Sequence, residues 1–513
     1  MSVAVDKVAG MARIAVIGAG MGAMAAAARL AVAGHRVVVY ERTQTYGGAV
    51  RRFERDGFAF DTGPGLLTLP AVYRDLFVKT GKEPLEDCVE LVQVDPSSRH
   101  LFADGSEVCL PNASRAGVVA ALDEALGAGT GERWGDFLVR AREAWDRTRR
   151  PLLEEPLWPN WQVLARKEPY PGVPHKRLLR TRRASTPAEI GAWELRDERL
   201  TALLESCVLG YGLDPRTAPA SAAVLPYMEH AFGTWYVRGG IRELARAVYE
   251  RCLKRRVEFV FDAEVMRILE KDGRATGVEL RDGTVAEADH VVADVDPARL
   301  KAMTDRPLDA DGDVRVNAFT PRPGRFTVLL ALRGGRGSGA AHRTVVHAPD
   351  PESELDFLGS GVADQPPCPT VTVLRPDDPA LAPDDGHESM VLSAVVPSAV
   401  DWEDENMVRQ YTDHLFEAAE AAIPGLRDRV LWQEVRTPDD TDDETSAFLG
   451  AVPAPSLAAG GGRFLHPSNT TRLPGLYRVG GWSHPGGGLP HAGMSGALVA
   501  GLIVEGLEFR GSQ

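Results

Sequence analysis

The chain has 513 residues, several times the ~150 of one typical domain, so two or three domains and a large core are expected. It is 44% hydrophobic and 25% charged, which excludes a disordered or fibrous chain. Asp and Glu outnumber Lys and Arg 72 to 58, for a net charge of −14, a poor match to the phosphate backbone of a nucleic acid.

The five cysteines (Cys88, Cys109, Cys207, Cys252, Cys368) are scattered without a C-x-x-C spacing. That pattern argues against a disulfide framework or a zinc site and fits a reducing cytosol. Ile14–Ala28 and Val479–Val504 lack Asp, Glu, Lys and Arg, but both are rich in Gly and Ala, and the second holds Pro485 and Pro490. Neither reads as a signal peptide or a membrane span. A cytoplasmic protein, at most peripheral at a membrane surface, is expected.

In chain order, Arg13–Ile17 reads as a buried strand, Gly18-Ala-Gly-Met-Gly22 as a tight turn and Ala23–Ala33 as a helix stopped by Gly34. Arg36–Tyr40 is a second strand, closed by Glu41, and the whole is a βαβ unit. Asp56-Gly57, Asp104-Gly105 and Asp282-Gly283 each mark a hairpin. Between about 114 and 216 the pattern turns to helical segments with Pro-rich joints. Ile241–Arg255 has the apolar spacing of an amphipathic helix, and Val257–Phe261, Glu264–Leu269 and His290–Ala293 read as strands. Phe326–Leu332 and Thr370–Leu374 return to strand patterns, and Asp439–Glu444 reads as an acidic loop. Leu476–Val479 is a last strand, followed by a Gly-rich loop and a helix from about Gly493.

Gly18-x-Gly20 with Ala23 at the third small position is a dinucleotide fingerprint, with Gly22 in the same turn. The first glycine permits the turn, the second admits a pyrophosphate to the backbone, and the third small residue lets helix and strand pack closely. Glu41 stands where a carboxylate binds the hydroxyls of an adenosine ribose and disfavours a 2′-phosphate, so NADP is not expected. Gly47-Gly48 follows soon after, then Phe60-Asp-Thr-Gly63-Pro64. A second glycine pair so close to the ribose acid is the arrangement of FAD enzymes. No Ser-His-Asp pattern, metal-ligand cluster or P-loop is present in the sequence, and His342, His347 and His387 stand alone.

On these motifs the chain resembles the phytoene desaturase-type (carotenoid desaturase) FAD oxidoreductases of the amine-oxidase-like flavoprotein superfamily. The resemblance continues through Leu225-Pro-Tyr, Trp235-Tyr-Val-Arg-Gly-Gly240, Ala263-Glu-Val265, Val291-Val-Ala-Asp-Val-Asp-Pro297, Pro376 and Gly386-His-Glu388. Its most specific part is Leu476-Tyr-Arg-Val-Gly480 with Ser483-His-Pro-Gly-Gly-Gly-Leu-Pro490. The resemblance implies FAD contacts at Gly18, Gly20, Gly22, Ala23, Glu41, Arg42, Gly47, Gly48, Gly63 and Pro64. Further along it implies contacts at Val265, Gly480, Gly481, His484, Pro485, Gly488, Leu489 and Pro490.

It also implies an α/β fold with a discontinuous Rossmann-like FAD-binding domain (11–80, 235–300, 440–513). A substrate domain with a mainly antiparallel sheet (81–113, 301–439) and a helical lid (114–234) would complete an apolar tunnel. The implied activity is FAD-dependent insertion of carbon–carbon double bonds into a long apolar polyene or isoprenoid. The alternative is a related flavoenzyme that reduces, isomerises, oxygenates or cyclises a polyene or polyketide intermediate. A degenerate flavoprotein that binds a lipid or a partner without turnover is a third reading.

Three departures stand out. Ala49 occupies a position where the family commonly has arginine, so Arg51 or Arg52 would substitute. Trp482 is bulkier than usual, and His491 follows Pro490, where it is either a catalytic proton carrier or a residue bonded to loop carbonyls. True amine oxidases carry an acid near the last loop, which Gly480-Gly-Trp-Ser-His lacks. Arg149–Arg183 holds nine Lys and Arg against three Glu, with Trp158, Trp161 and Tyr170 interleaved. It reads either as an interfacial patch for anionic lipid or as a mobile, solvated lid or partner-facing loop.

Overall fold

The computed structural model describes residues 11–175, 180–309, 323–362, 365–384 and 386–511. Four of the residues of the basic stretch, 176–179, lie outside that set.

The opening βαβ unit forms as its sequence pattern requires. Strand β1 (Arg13–Ile17) leads through the glycine turn into helix α1 (Met21–Val32), and Gly34, at φ 93°, turns the chain into β2 (Arg36–Tyr40). Three distant segments complete a parallel sheet with β1 and β2: β3 (Glu258–Val260), β4 (His290–Ala293) and β5 (Leu476–Arg478). The order is β3-β2-β1-β4-β5, with every pairing parallel. Strands buried on both faces read as unbroken apolar runs, which is why Ile14–Ile17 and Val291–Ala293 lack alternation.

Helix α2 (Leu489–Val504) packs on α1, and small residues set the distance between them. A Cβ on Gly496 would lie 2.6 Å from the Gly22 carbonyl oxygen and 2.7 Å from the Ala25 Cβ. The helix begins at Leu489 rather than near Gly493. Pro490 sits in its first turn, where the missing N–H costs no hydrogen bond.

The second large sheet has seven strands in the order Val430–Arg436, Pro323–Arg333, His387–Pro397, Val371–Leu374, Arg343–Val346, Ser98–Leu101 and Glu107–Leu110. All its pairings are antiparallel except Arg343–Val346 with Ser98–Leu101. Side chains alternate across it. Phe326, Val328, Leu330 and Leu332 point to a core shared with Tyr411, Leu415 and Phe416 of the Glu405–Ala422 helix, and the intervening residues face the other way. The segment expected as an acidic loop is a helix, Pro438–Thr445, started by a capping box in which Thr437 and Asp440 each satisfy the other's backbone N–H.

Between about 114 and 232 the chain is mainly helical, with Arg115–Leu126, Thr130–Arg149, Glu198–Gly210 and Val224–Phe232 packed around Trp134, Phe137, Leu204 and Leu225. Tyr170 belongs to this core. It is fully buried, and its hydroxyl donates to Glu194 at 2.8 Å beside Arg140. Trp161 packs on Ala165 and Leu465, and Trp158 lies under the Arg510 guanidinium at 3.7 Å. The aromatics of the basic stretch are therefore committed to the protein rather than presented as a row at its surface. Among the described residues no helix is long and apolar enough to cross a membrane.

The helix contact makes a stability prediction. Gly496→Val should lower the apparent unfolding midpoint by several °C, because overpacking of this kind costs about 1–3 kcal/mol. Gly210→Ala, with nothing within 4 Å of its added Cβ, should leave the midpoint within 1–2 °C. Thermal unfolding followed by circular dichroism checks both.

Candidate flavin site and substrate chamber

A single cavity of about 840 Å³ starts at the β1–α1 turn and runs past the last glycine loop to the inner face of the seven-stranded sheet. At its first end the wall is bare backbone. Gly18, Gly20, Gly22, Gly47 and Gly48 all line it, and a Cβ on Gly48 would sit 3.1 Å from the Gly20 Cα. The two glycine turns are pinned together, since the Gly47 N–H donates to the Ala19 carbonyl at 2.7 Å. Gly20 is the N-cap of α1 and offers no side-chain cap. Of the first-turn N–H groups, that of Ala23 donates to Asp294 Oδ2 at 3.2 Å. Those of Met21 and Gly22, both in the cavity wall, have no acceptor among the described residues and suit a phosphate.

Glu41 closes β2 with its carboxylate only 7% exposed. Its Oε2 accepts from the Ala19 N–H at 2.9 Å, and its Oε1 accepts from the Thr43 N–H and hydroxyl at 2.9 and 2.8 Å. The carboxylate is thus held in one orientation, with acceptor capacity left for a ribose hydroxyl. Asp294, closing β4 in the same way, is half-buried in the cavity wall. Burial pushes its carboxyl up to about 7, with the Glu41 charge adding to the effect, which reduces repulsion of a neighbouring diphosphate.

Arg42 and Arg51 line the same end. Arg51 donates from Nε to the Gly48 carbonyl at 3.0 Å and from Nη2 to the Glu444 carbonyl at 2.7 Å. Arg52 pairs with Glu54 at 2.7 Å and stands outside the cavity wall. Of the two candidates to replace the arginine missing at Ala49, Arg51 is the one in place. The loop is braced from behind by Arg242, whose guanidinium donates to the Val50 carbonyl at 2.8 Å and to Thr45 Oγ1 at 2.5 Å. Asp61 in turn accepts the Ile241 and Arg242 N–H groups at 2.8 and 3.2 Å, fixing the start of the Arg242–Lys254 helix.

Gly63, Pro64, Val265, Gly480, Gly481, Gly488, Leu489 and Pro490 complete the wall, together with His491. The last loop is held by Ser495 and Asn469. Ser495 Oγ accepts from the Gly480 N–H at 3.1 Å, and Asn469 Nδ2 donates to the His484 carbonyl at 2.7 Å. Three of the residues expected at the cofactor stand behind the wall. Ala23 is buried inside α1, and Pro485 is buried behind a cis peptide bond. His484 has Nε2 2.9 Å from the Glu155 carbonyl, tying the loop to the helical region. The role of a histidine bonded to a carbonyl, considered for His491, is filled by His484.

His491 is 7% exposed, and its Nδ1 has no hydrogen-bond partner among the described residues. Burial pushes its pKa down to about 3, with His466 and His484 adding to the effect, so the ring is neutral near pH 7 and supplies an acceptor rather than a proton.

The same cavity is lined by Val118, Trp134, Leu203, Leu209, Met228 and Val391, which form an apolar chamber. The resemblance implies an apolar tunnel without naming these residues, places Asp294 in a motif without a role, and leaves out Arg242, Ser495 and Asn469. An acid directly after a buried strand is the signal that found Glu41, and Asp294 carries it too. Away from the cavity, Cys368, His414 and Glu417 bring their potential ligand atoms within 4.8 Å of one another, a grouping invisible in the sequence.

The bare-backbone strip, the anchored Glu41 and the open helix N-terminus fit the adenosine diphosphate half of FAD. A model of the flavin containing amine oxidoreductase family matches residues 24–504. A 4,4'-diapolycopene oxygenase of Methylomonas sp is 29% identical over 97% of this chain and 99% of its own length. A hydroxyneurosporene desaturase of Cereibacter sphaeroides is 30% identical over 97% and 98%. Among solved structures, an oxidoreductase from Methanosarcina mazei superposes with a TM-score of 0.64 at 18% identity, over 95% of this chain and 99% of that one. The chain belongs to the flavin containing amine oxidoreductase family and is an FAD-dependent oxidoreductase.

Proposed function

We propose that this enzyme introduces carbon–carbon double bonds into a long apolar polyene, in the manner of the carotenoid desaturases it resembles in sequence. The observation that carries this reading is the continuity of the cavity, which joins the glycine-lined end to a chamber walled by Trp134, Leu203, Leu209 and Met228. An apolar chain in that chamber is shielded from water and can lie against the last glycine loop. FAD, when bound, supplies the acceptor for the hydride removed from the chain.

The protein's own part is binding, alignment and proton transfer. We assign Glu41 to the ribose, the N–H groups of Met21 and Gly22 with Arg51 to the diphosphate, and Gly480, Gly481 and Gly488 to the flavin side. His491 would take the proton at Nδ1. A ring with a pKa near 3 is a weak base, but a C–H beside an electron-deficient chain carbon is acidic enough to need no stronger one. On this reading the parallel sheet belongs to the cofactor domain, the seven-stranded sheet to the substrate domain, and 114–234 to the lid. Oxygenation of the same kind of chain is the second reading, favoured by the Methylomonas relative.

Anaerobic addition of phytoene in liposomes should bleach the flavin absorbance and produce new polyene bands. An unbleached flavin would remove desaturation of that substrate, and oxygen consumption beyond the double bonds formed would select oxygenation. Glu41→Ala should weaken FAD binding by roughly tenfold to a hundredfold, the worth of a charged hydrogen bond, in equilibrium dialysis. His491→Gln should retain FAD and slow anaerobic bleaching by about 10²–10⁴-fold, and an unchanged rate would rule out His491 as the proton acceptor.

For membrane access, we propose that 149–183 meets anionic lipid by charge alone, since Tyr170 is buried and Trp158 and Trp161 are partly covered by Arg510 and Ala165. Flotation with anionic liposomes should therefore be lost at about 0.5 M salt, where the screening length falls to a few ångströms. It should also be absent with neutral liposomes.

A further inference from the structure

The far wall of the chamber is not apolar throughout. The register of the seven-stranded sheet pairs Arg325 with Val395, Thr327 with Ser393 and Ser393 with Thr372. Because side chains alternate, Phe326, Val328, Val371, Val373 and Leu392 go to the core behind the sheet. Arg325, Thr327, Thr372 and Ser393 stand together on the cavity side, and all four line the chamber.

None of these groups is spent on the protein in the usual way. Among the described residues, Arg325 reaches only the Gly210 carbonyl, which Nη2 touches. Among those residues it has no carboxylate partner, and the Tyr211 phenol is its electrostatic neighbour. The hydroxyls of Thr327, Thr372 and Ser393 have no hydrogen-bond partner among the described residues. Several other polar groups near this wall are paired. Arg343 pairs with Glu229 at 2.7 Å, Thr370 bonds Glu354 at 2.8 Å, and Ser389 bonds the Leu381 carbonyl. The other cavity arginines without a carboxylate partner, Arg42 and Arg51, belong to the diphosphate end.

A guanidinium in an apolar wall is costly unless something accepts from it. A hydrocarbon chain offers nothing to it or to the three hydroxyls. A carboxylate or carbonyl at the end of the chain would accept from Arg325 in its planar fork and from the hydroxyls beside it. We propose that the polyene bound here carries an oxygenated, acceptor-bearing terminus, a carboxylate in preference to a carbonyl, seated on Arg325, Thr327, Thr372 and Ser393. This rests on the polyene reading given above and narrows its substrate class.

The test titrates the FAD-loaded enzyme, in detergent micelles, with three C20 polyenes of one skeleton: retinoic acid, retinal and the hydrocarbon axerophthene. Binding is read from the shift in polyene absorbance. The wild type should bind the acid at least tenfold more tightly than the hydrocarbon, with the aldehyde between them. Arg325→Met should remove that preference, leave hydrocarbon binding within about twofold, and keep full FAD content. Arg325→Lys should restore part of the preference, and FAD content with the unfolding midpoint reports whether either variant is misfolded. Equal affinity of the wild type for acid and hydrocarbon, or a preference that survives Arg325→Met, overturns the proposal while leaving the polyene reading intact. If none of the three binds, the polyene reading fails and the proposal fails with it.

Discussion

The structure depends on three backbones meeting almost without side chains between them. Gly22 of α1 would place a Cβ 2.7 Å from the Gly480 Cα, and Gly496 of α2 would place one 2.6 Å from the Gly22 carbonyl. Glycines at Gly20 and Gly480 likewise leave room for the Asp294 carboxylate, which any Cβ there would strike. That contact brings the first 40 residues and the last 40 into one layer. It also aims two helix N-termini, each without a side-chain cap, at the same cavity. A cavity that must hold a negatively charged cofactor gains from two such ends, because each carries a partial positive charge. The close packing is thus both the core of the parallel sheet domain and the geometry of the site.

The parts of this arrangement legible in the sequence are the local ones. Arg13–Ile17, Met21–Val32, Arg36–Tyr40 and Glu41 follow one another within thirty residues, so their spacing alone declares a strand, a turn, a helix and an acid. His290–Ala293 is readable as a strand, but its place beside β1 is not, since Ile14 pairs with His290 across most of the intervening chain. The misjudged elements failed for local reasons too. Pro490 looked like a break before the last helix and is a first-turn proline, and Asp439–Glu444 looked like a solvated loop because its charges hid the Thr437–Asp440 capping box. Tyr170, read among the interfacial aromatics, is buried against Glu194 and Arg140, a pairing that needs the 114–232 region folded before it exists.

The electrostatics of the cavity divide it more sharply than its shape does. At the nucleotide end, Glu41 is fixed by three donors, and Asp294 is held near neutrality by its burial. Arg51 reaches backbone carbonyls rather than carboxylates. The middle is marked by neutral His491, in a setting where His466 and His484 also disfavour protonation. On the proposed reading a cation there would oppose any positive charge developing on a bound chain, so a neutral ring would serve electron removal as well as proton acceptance.

The chamber wall could not have been read ahead of the fold, and the reason is the period of a strand. In Pro-Gly-Arg325-Phe-Thr327-Val-Leu-Leu the apolar run is clear, and it predicts a buried strand correctly. Which of its two faces meets a second core and which meets a cavity depends on the Glu405–Ala422 helix covering one side and the helical region standing off from the other. Once that is settled, the polar members of three neighbouring strands fall on one side by alternation alone. Arg325, Thr327, Thr372 and Ser393 are far apart in sequence, and each taken singly is unremarkable. Brought together, they divide the chamber wall, with hydrogen-bonding groups gathered on the sheet and Leu203 and Leu209 among the residues of the helical region. Such a division orients a chain with two unlike ends, where a uniformly apolar tunnel would accept it either way round.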